Sequence, residues 1–235
     1  TPRAQPGSRQ FWQSGSDMTL QELIDLYRAD ALDDQQPYFC GPELLAMYAN
    51  EAQDEACRRG QLIRDSVSSV CTIAYAQGAS SVPVSSKIVT ILRSHIDGHI
   101  VHPVSVDAMD EVFPGWEVDT TQTRPTHLVS GESDGVLMLW PKPAEAGSVK
   151  LTVLRLPITR MAGDDDVPEI REESHVALVN WMMYRAYSRA DSDLYDERKA
   201  ALALGRFEAE FGGKASARNE QWVRNGAGAM PDPIA

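Results

Sequence analysis

The sequence predicts an α+β fold: a four-helix bundle built from both ends of the chain, with an antiparallel β-sandwich or barrel inserted between its halves. Apolar residues recur with the helical period of about 3.6 before residue 66 and after residue 161. Between them the apolar residues alternate with the period of a strand. An extended C-terminal tail, poor in apolar residues, follows the last helix.

The N-terminal part begins with a polar arm, residues 1–16, which we expect to be disordered because it is rich in Pro and Gly. Residues 17–66 carry helices 1 and 2 of the bundle. Thr19 and Glu22 form a capping box at the start of helix 1, and Pro42 suits the first turn of helix 2. The predicted buried stripe of helix 2 consists of Leu45, Tyr48, Ala49, Ala52, Ala56 and Ile63.

Residues 67–160 form the inserted β domain. Four segments are rich in β-forming residues, and Asp97-Gly98 within the second of them, residues 87–104, is a strong signal for a two-residue hairpin turn. Such a turn pairs Ile96 with His99 and places His95 and His102 on one face of the sheet. The sequence therefore predicts a β-hairpin in the middle of the chain.

Residues 161–212 carry helices 3 and 4. The apolar face of helix 3 comprises Val176, Leu178, Val179, Met182, Met183, Ala186 and Tyr187. Trp181 and Tyr184 project from its other side, which suggests a second contact with the β domain or with a neighbouring subunit. The apolar stripe of helix 4 comprises Ala200, Ala203, Leu204, Phe207 and Phe211, and Gly212 ends the helix.

Residues 213–235 form a tail that has too few apolar residues to build a core of its own. A short helix around Trp222 and Val223 would dock these side chains on a partner protein. The alternative is a terminus whose tryptophan folds back on its own bundle.

Composition excludes several classes of protein. No apolar run reaches the roughly 18 residues of a membrane span, and the first residues lack the apolar stretch of a secretory signal. The 3 cysteines form no CxxC pair, so we expect reduced thiols in an intracellular setting. A formal net charge of −12 argues against gripping nucleic acid by its phosphates, but is compatible with letting it pass unbound.

No pattern indicates catalysis or a bound metal. His95 and His102 lack a third ligand, and His175 lies on the apolar face of helix 3, as a hydrogen-bonded core histidine would. Residues 164–166 are three aspartates without the alternating spacing of a calcium loop. Neither a nucleophile motif nor a phosphate-binding glycine motif occurs. We therefore predict no catalytic residue, no metal and no cofactor.

Several segments resemble the head-to-tail adaptor proteins of tailed bacteriophages, also called connector or head-completion proteins, including their tail-tubular type. The resemblance lies in YANEAQDEACRRGQLI (48–63), PEIREESHVALVNWMMYRAYSRADSD (168–193), GRFEAEFG (205–212) and GVLMLWPKPAEAGSVKLTVLRLP (135–157). It implies a structural virion protein at the neck or tail, assembled in the host cytoplasm into a dodecameric ring. It also implies contacts with the portal and with a tail nozzle or other tail proteins, a channel for DNA, and no catalysis.

Other functions remain open at this point. The chain could be another neck or tail structural protein that makes no portal contact. A small hydrolase using His175, or the hairpin histidines with nearby carboxylates, is a further alternative. A sugar- or peptide-binding sandwich with Trp116 and Trp140 as platforms is another.

Overall fold

A computed structural model describes residues 17–190 and 192–214. The predicted arm 1–16 and most of the predicted tail lie outside this part. The helices within it are α1 (Leu20–Ala31), α2 (Pro42–Gly60), α3 (Val106–Val112), α4 (His175–Tyr187) and α5 (Glu197–Phe211). The strands are β1 (Ile63–Asp65), β2 (Thr72–Tyr75), β3 (Ser81–Pro83), β4 (Ile88–Ile96), β5 (His99–Ser105), β6 (Gln122–Thr123), β7 (His127–Ser130), β8 (Val136–Trp140), β9 (Lys142–Pro143) and β10 (Gly147–Arg155).

The capping box of α1 is confirmed. Thr19 Oγ1 accepts a hydrogen bond from the backbone N–H of Glu22 at 3.3 Å, and the Glu22 carboxylate accepts one from the backbone N–H of Thr19 at 2.9 Å. The carboxylate of Asp196 caps α5 in a similar way, by accepting from the N–H groups of Arg198 and Lys199. Local sequence thus fixes both helix starts.

Four helices share one apolar core. Helices α2 and α4 pack on each other, and each also packs on α1 and on α5. Helices α1 and α5 form no extensive interface with one another. They therefore lie on opposite sides of the α2–α4 pair, and their outward faces point in different directions.

Helix α2 is shorter than its sequence pattern suggests. It ends at Gly60, because Gln61 takes the left-handed conformation with φ 52° and its N–H bonds the carbonyl of Cys57. The prediction that Ile63 belongs to the helical stripe is wrong, since Ile63 pairs with Arg155 in the sheet. The other predicted stripe residues of α2 are buried.

The apolar face of α4 also differs from the prediction. Val176 is half exposed and Met183 is only partly buried, whereas Trp181 is buried. The reason is that α5 covers the side of α4 from which Trp181 projects.

The β region forms a curled mixed sheet that resembles half of a barrel. Seven strands follow the order β1-β10-β4-β5-β7-β8-β3, and β2 also pairs with β10. Strands β5 and β7 run parallel, so the prediction of a purely antiparallel sheet is wrong at this pair. A parallel pair needs a long crossover, and residues 106–126, with α3, supply it. The eight strands form one curled sheet, and β6 pairs separately with β9, in place of the two stacked sheets of a sandwich.

The predicted hairpin is confirmed. Asp97 and Gly98 both have positive φ, as a type I′ turn requires, and Ile96 pairs with His99. His95 pairs with Ile100, which leaves His95 and His102 diagonal on one face.

Candidate interaction surfaces

His175 is a structural residue of the core. Its side chain is 1% exposed, Nδ1 accepts from the backbone N–H of Met18 at 3.2 Å, and Nε2 lies 2.9 Å from the carbonyl of Ile170, to which it donates. Both ring nitrogens are therefore occupied by backbone groups. Neither is left to take a proton from a nucleophile, which removes the basis for a hydrolase that uses His175.

The aspartates of residues 164–166 hold a turn and the start of α1. The Asp166 carboxylate accepts from the N–H groups of Ala162 and Gly163, which lowers its pKa from the ordinary value. The carbonyls of Asp164 and Asp166 accept from the N–H groups of Gln21 and Leu20 in the first turn of α1. This segment thus satisfies the open donors of a helix N-terminus. Among residues 17–190 and 192–214, no group of three His, Cys, Asp or Glu side chains is placed to hold a metal ion.

Trp116 and Trp140 border a cavity of about 320 Å³ in the β region. Trp116 is 4% exposed, and its indole N–H donates to Asp110 at 2.8 Å. The ring of Trp140 packs against Phe113 and His127, with centroid distances of 4.6 and 5.5 Å. Trp116 is thus buried, and the ring of the half-buried Trp140 is already packed against two other rings, so the geometry does not favour a carbohydrate-binding role.

Trp181 makes its second contact within its own subunit. The side chain is 7% exposed, and its ring centroid lies 5.0 Å from that of Phe207 in α5 and 5.1 Å from that of Tyr184. The guanidinium of Arg59 lies over the same indole at 5.2 Å. Helix α5 thus provides most of the second contact that was expected from the β domain or a neighbouring subunit. The indole N–H of Trp181 has no hydrogen-bond partner among the described residues. Tyr184 is half buried beside it.

The outward face of α1 is acidic and ends in an exposed leucine. Glu22 and Asp25 lie on this face, and Asp34 follows in the next loop; all three are exposed. Leu32, directly after the helix, is 81% exposed and has φ 57°. The left-handed region is unfavourable for a leucine by roughly 1–2 kcal/mol. No contact within the described chain explains why a leucine is kept there.

The adjoining loop is held in place from inside. Asp33 is buried, and its carboxylate accepts from the N–H groups of Phe39 and Cys40 at 2.8 and 3.1 Å. The guanidinium of Arg28 lies 3.5 Å from Asp33 and 3.5 Å from the centroid of the Tyr38 ring. The loop thus presents the exposed Phe39 side chain on a fixed backbone.

The outward face of α5 is basic and has small residues. Arg198, Leu202 and Arg206 follow one another at intervals of one turn, and Leu202 is 58% exposed. No ion pair of Arg198 or Arg206 occurs within the part of the chain that the structure describes. Gly205 lies on the same face, and a Cβ atom there would meet no atom within 4 Å. Nothing in the described chain requires glycine at this position.

Neither of these faces is predicted by the sequence patterns. The charges of Asp25, Arg198 and Arg206 are visible in the sequence, but a charged helix face usually only contacts water. The position of Leu32 one residue past the helix carries no signal before its backbone angles are known. Trp222 and Val223, the predicted docking residues of the tail, lie outside the described residues.

No helix within 17–190 and 192–214 combines the length and apolar character that crossing a bilayer requires. No curated protein matches the chain. A family model described as SU10 adaptor protein matches residues 18–230, which includes the helical core, the curled sheet and most of the tail. The chain therefore belongs to the SU10 adaptor protein family, a family of phage head-to-tail adaptors.

Proposed function

We propose that this phage structural adaptor forms a ring that joins the portal to the tail and lines the channel through which DNA passes. The family match over residues 18–230 is the observation that carries the proposal. A head-to-tail adaptor is a component of the virion. Because this chain belongs to a family of structural proteins, a role without catalysis is favoured. The position at the neck, twelve copies per ring and assembly in the host cytoplasm belong to the proposal.

The charge of the chain supports passage of DNA without binding. Each copy has a formal net charge of −12, and several copies around one axis would produce a strongly negative ring. Phosphates are repelled by such a surface, so DNA would slide through without being held. Partner proteins are the portal on one side and a tail nozzle or other tail proteins on the other.

Four residues are proposed to contact other proteins. Trp222 and Val223 would anchor the tail on the portal, because a tryptophan often dominates the binding energy of a small interface. Tyr184 would contribute its exposed edge. Trp181 would make such a contact only where α5 moves away, since α5 covers its ring and its unpartnered indole N–H is buried.

Imaging of the purified protein mixed with its portal tests the proposal. We expect a stacked ring in negative-stain images, and we expect deletion of residues 213–235 or the substitution Trp222→Ala to abolish it. Trp12→Ala, in the N-terminal arm, is the matched control and should leave the ring intact. A ring or tail assembly that never includes the portal would instead identify a neck or tail protein without portal contact, and absence from the virion would contradict the proposal entirely.

A further inference from the structure

We propose that the outward face of α1 in one copy docks against the outward face of α5 in the next copy. This inference rests on the proposed ring and names the two surfaces that would build it. A ring needs two different, mutually complementary faces on each subunit, because each copy contacts its two neighbours through different surfaces.

The placement of the two helices meets that requirement. Helices α1 and α5 lie on opposite sides of the α2–α4 pair and share no extensive interface. One copy can therefore present α1 to one neighbour and α5 to the other without rearranging its core.

The two faces are complementary in charge. The α1 side carries Asp25 and Asp34, and the α5 side carries Arg198 and Arg206, all of them exposed. These four charges have no ion-pair partner within the described chain. Opposite charges of this kind select the partner and set the register of an interface, and they act over about 10 Å at moderate salt.

Each face also has an exposed leucine that would serve as an apolar anchor. Each also has a residue whose type the fold of its own subunit does not explain. Leu32 is strained and exposed on the α1 side, and Leu202 is exposed on the α5 side. Gly205, beside Leu202, leaves the backbone of α5 open to close approach. The left-handed backbone at Leu32 ends α1, since its N–H bonds the carbonyl of Arg28, but this role does not require a leucine. Backbone strain of this kind is concentrated at functional surfaces, and contact with a neighbouring copy would explain both the leucine and Gly205.

A charge exchange tests the contact with the protein alone, at low ionic strength. The first variant is Asp25→Lys with Asp34→Lys, and the second is Arg198→Glu with Arg206→Glu. Each variant places like charges on both of its faces, so we expect self-association, measured by sedimentation velocity, to fall at least about tenfold. In an equal mixture, contacts between the two different variants again pair opposite charges, and we expect association to return to within about threefold of the wild type.

Two control variants carry the same charge changes on the β region: Glu132→Lys with Asp134→Lys, and Arg93→Glu with Arg124→Glu. They should associate like the wild type. The inference is wrong if the controls lose association equally, if the mixture is no better than its parts, or if the wild type stays monomeric up to about 1 mM.

The portal experiment separates this inference from the proposed function. A failed exchange together with a wild-type ring on the portal contradicts the α1–α5 contact alone. A successful exchange without a ring on the portal supports the contact and contradicts the portal-joining function.

Discussion

Arg155, the last residue of β10, donates a hydrogen bond from Nε to the carboxylate of Asp65 in β1 at 2.5 Å. The same guanidinium donates from its Nη1 to Glu169 at 2.6 Å, in the segment that leads to α4. The side chains of Arg155 and Asp65 are about one-tenth exposed. One arginine side chain at the end of β10 thus bonds both to β1 and to the segment that precedes α4.

Replacing Arg155 with Met should destabilise the fold strongly. The change leaves two mostly buried carboxylates without their cation, which typically costs about 3–5 kcal/mol in the free energy of unfolding. Urea denaturation measures the loss. The control Arg160→Met removes an exposed arginine that lies 3.6 Å from Asp54, and we expect a change below about 1 kcal/mol. Equal effects of the two substitutions would contradict this account of the network.

The same network should make the protein sensitive to acid. Burial acts to raise the pKa of Asp65, but hydrogen bonds from Ser68, from the backbone and from Arg155 outweigh it and hold the pKa well below the ordinary value. The pKa of Glu169 is lowered for similar reasons. As the pH falls, these two carboxylates bind protons at about pH 4 in the unfolded chain and only at lower pH in the folded protein.

The stabilisation from these two carboxylates is therefore complete above about pH 5 and is lost as the pH falls through the folded pKa values. Urea titrations between about pH 7 and pH 3 should show a falling free energy of unfolding. The variant Asp65→Asn should be less stable at neutral pH and should show a shallower fall. An unchanged pH slope in that variant would remove Asp65 from the explanation.

His175→Leu should lower the free energy of unfolding by about 2 kcal/mol, because the N–H of Met18 and the carbonyl of Ile170 lose their partner in a buried site. His175→Gln can still donate to Ile170 and should cost less. The exposed His99→Leu is the control for loss of an imidazole. Thermal melting in parallel for the three variants distinguishes them.

Leu32→Gly should stabilise the isolated subunit by about 1 kcal/mol, since glycine adopts the left-handed conformation without a clash. The same substitution removes the proposed apolar anchor on the α1 side and should weaken self-association. Denaturation and sedimentation on one sample measure both effects. A destabilised subunit would show that Leu32 already contributes to its own fold.

Gly205→Ala should also stabilise the subunit, by about 0.5–1 kcal/mol, because alanine is the better helix former and the added methyl group meets no atom. That methyl group would keep the neighbouring α1 further away, so we expect weaker association. Ala201→Gly on the same helix is the reverse control, with lower stability expected. Unchanged association of Gly205→Ala would indicate that the backbone of α5 is not closely approached.

Local signals made much of the fold predictable. Asp97-Gly98 specified the β4–β5 hairpin and its register, and Thr19 with Glu22 specified the start of α1. The errors came from contacts between distant parts of the chain. Ile63 leaves the helical pattern because β10 offers it a strand partner, and nothing near residue 63 announces this.

The parallel pairing of β5 with β7 and the burial of Trp181 have the same origin. A helical projection identifies the side of α4 on which Trp181 lies, but it cannot identify α5 as the element that covers that side. The α1 and α5 faces were likewise invisible as a pair, because their complementarity depends on their opposite placement in the folded subunit.

Cys40, Cys57 and Cys71 are the only thiols of the chain, and all three are buried and free. Burial raises the pKa of Cys57 to about 12, so little thiolate exists there at neutral pH. A cysteine introduced by Ser133→Cys, at an exposed position away from the two proposed faces, would therefore be the one that a maleimide dye reaches in the native subunit. The natural chain is thus ready for fluorescence or spin-label distance measurements between neighbouring copies, without first removing any native sulfur atom.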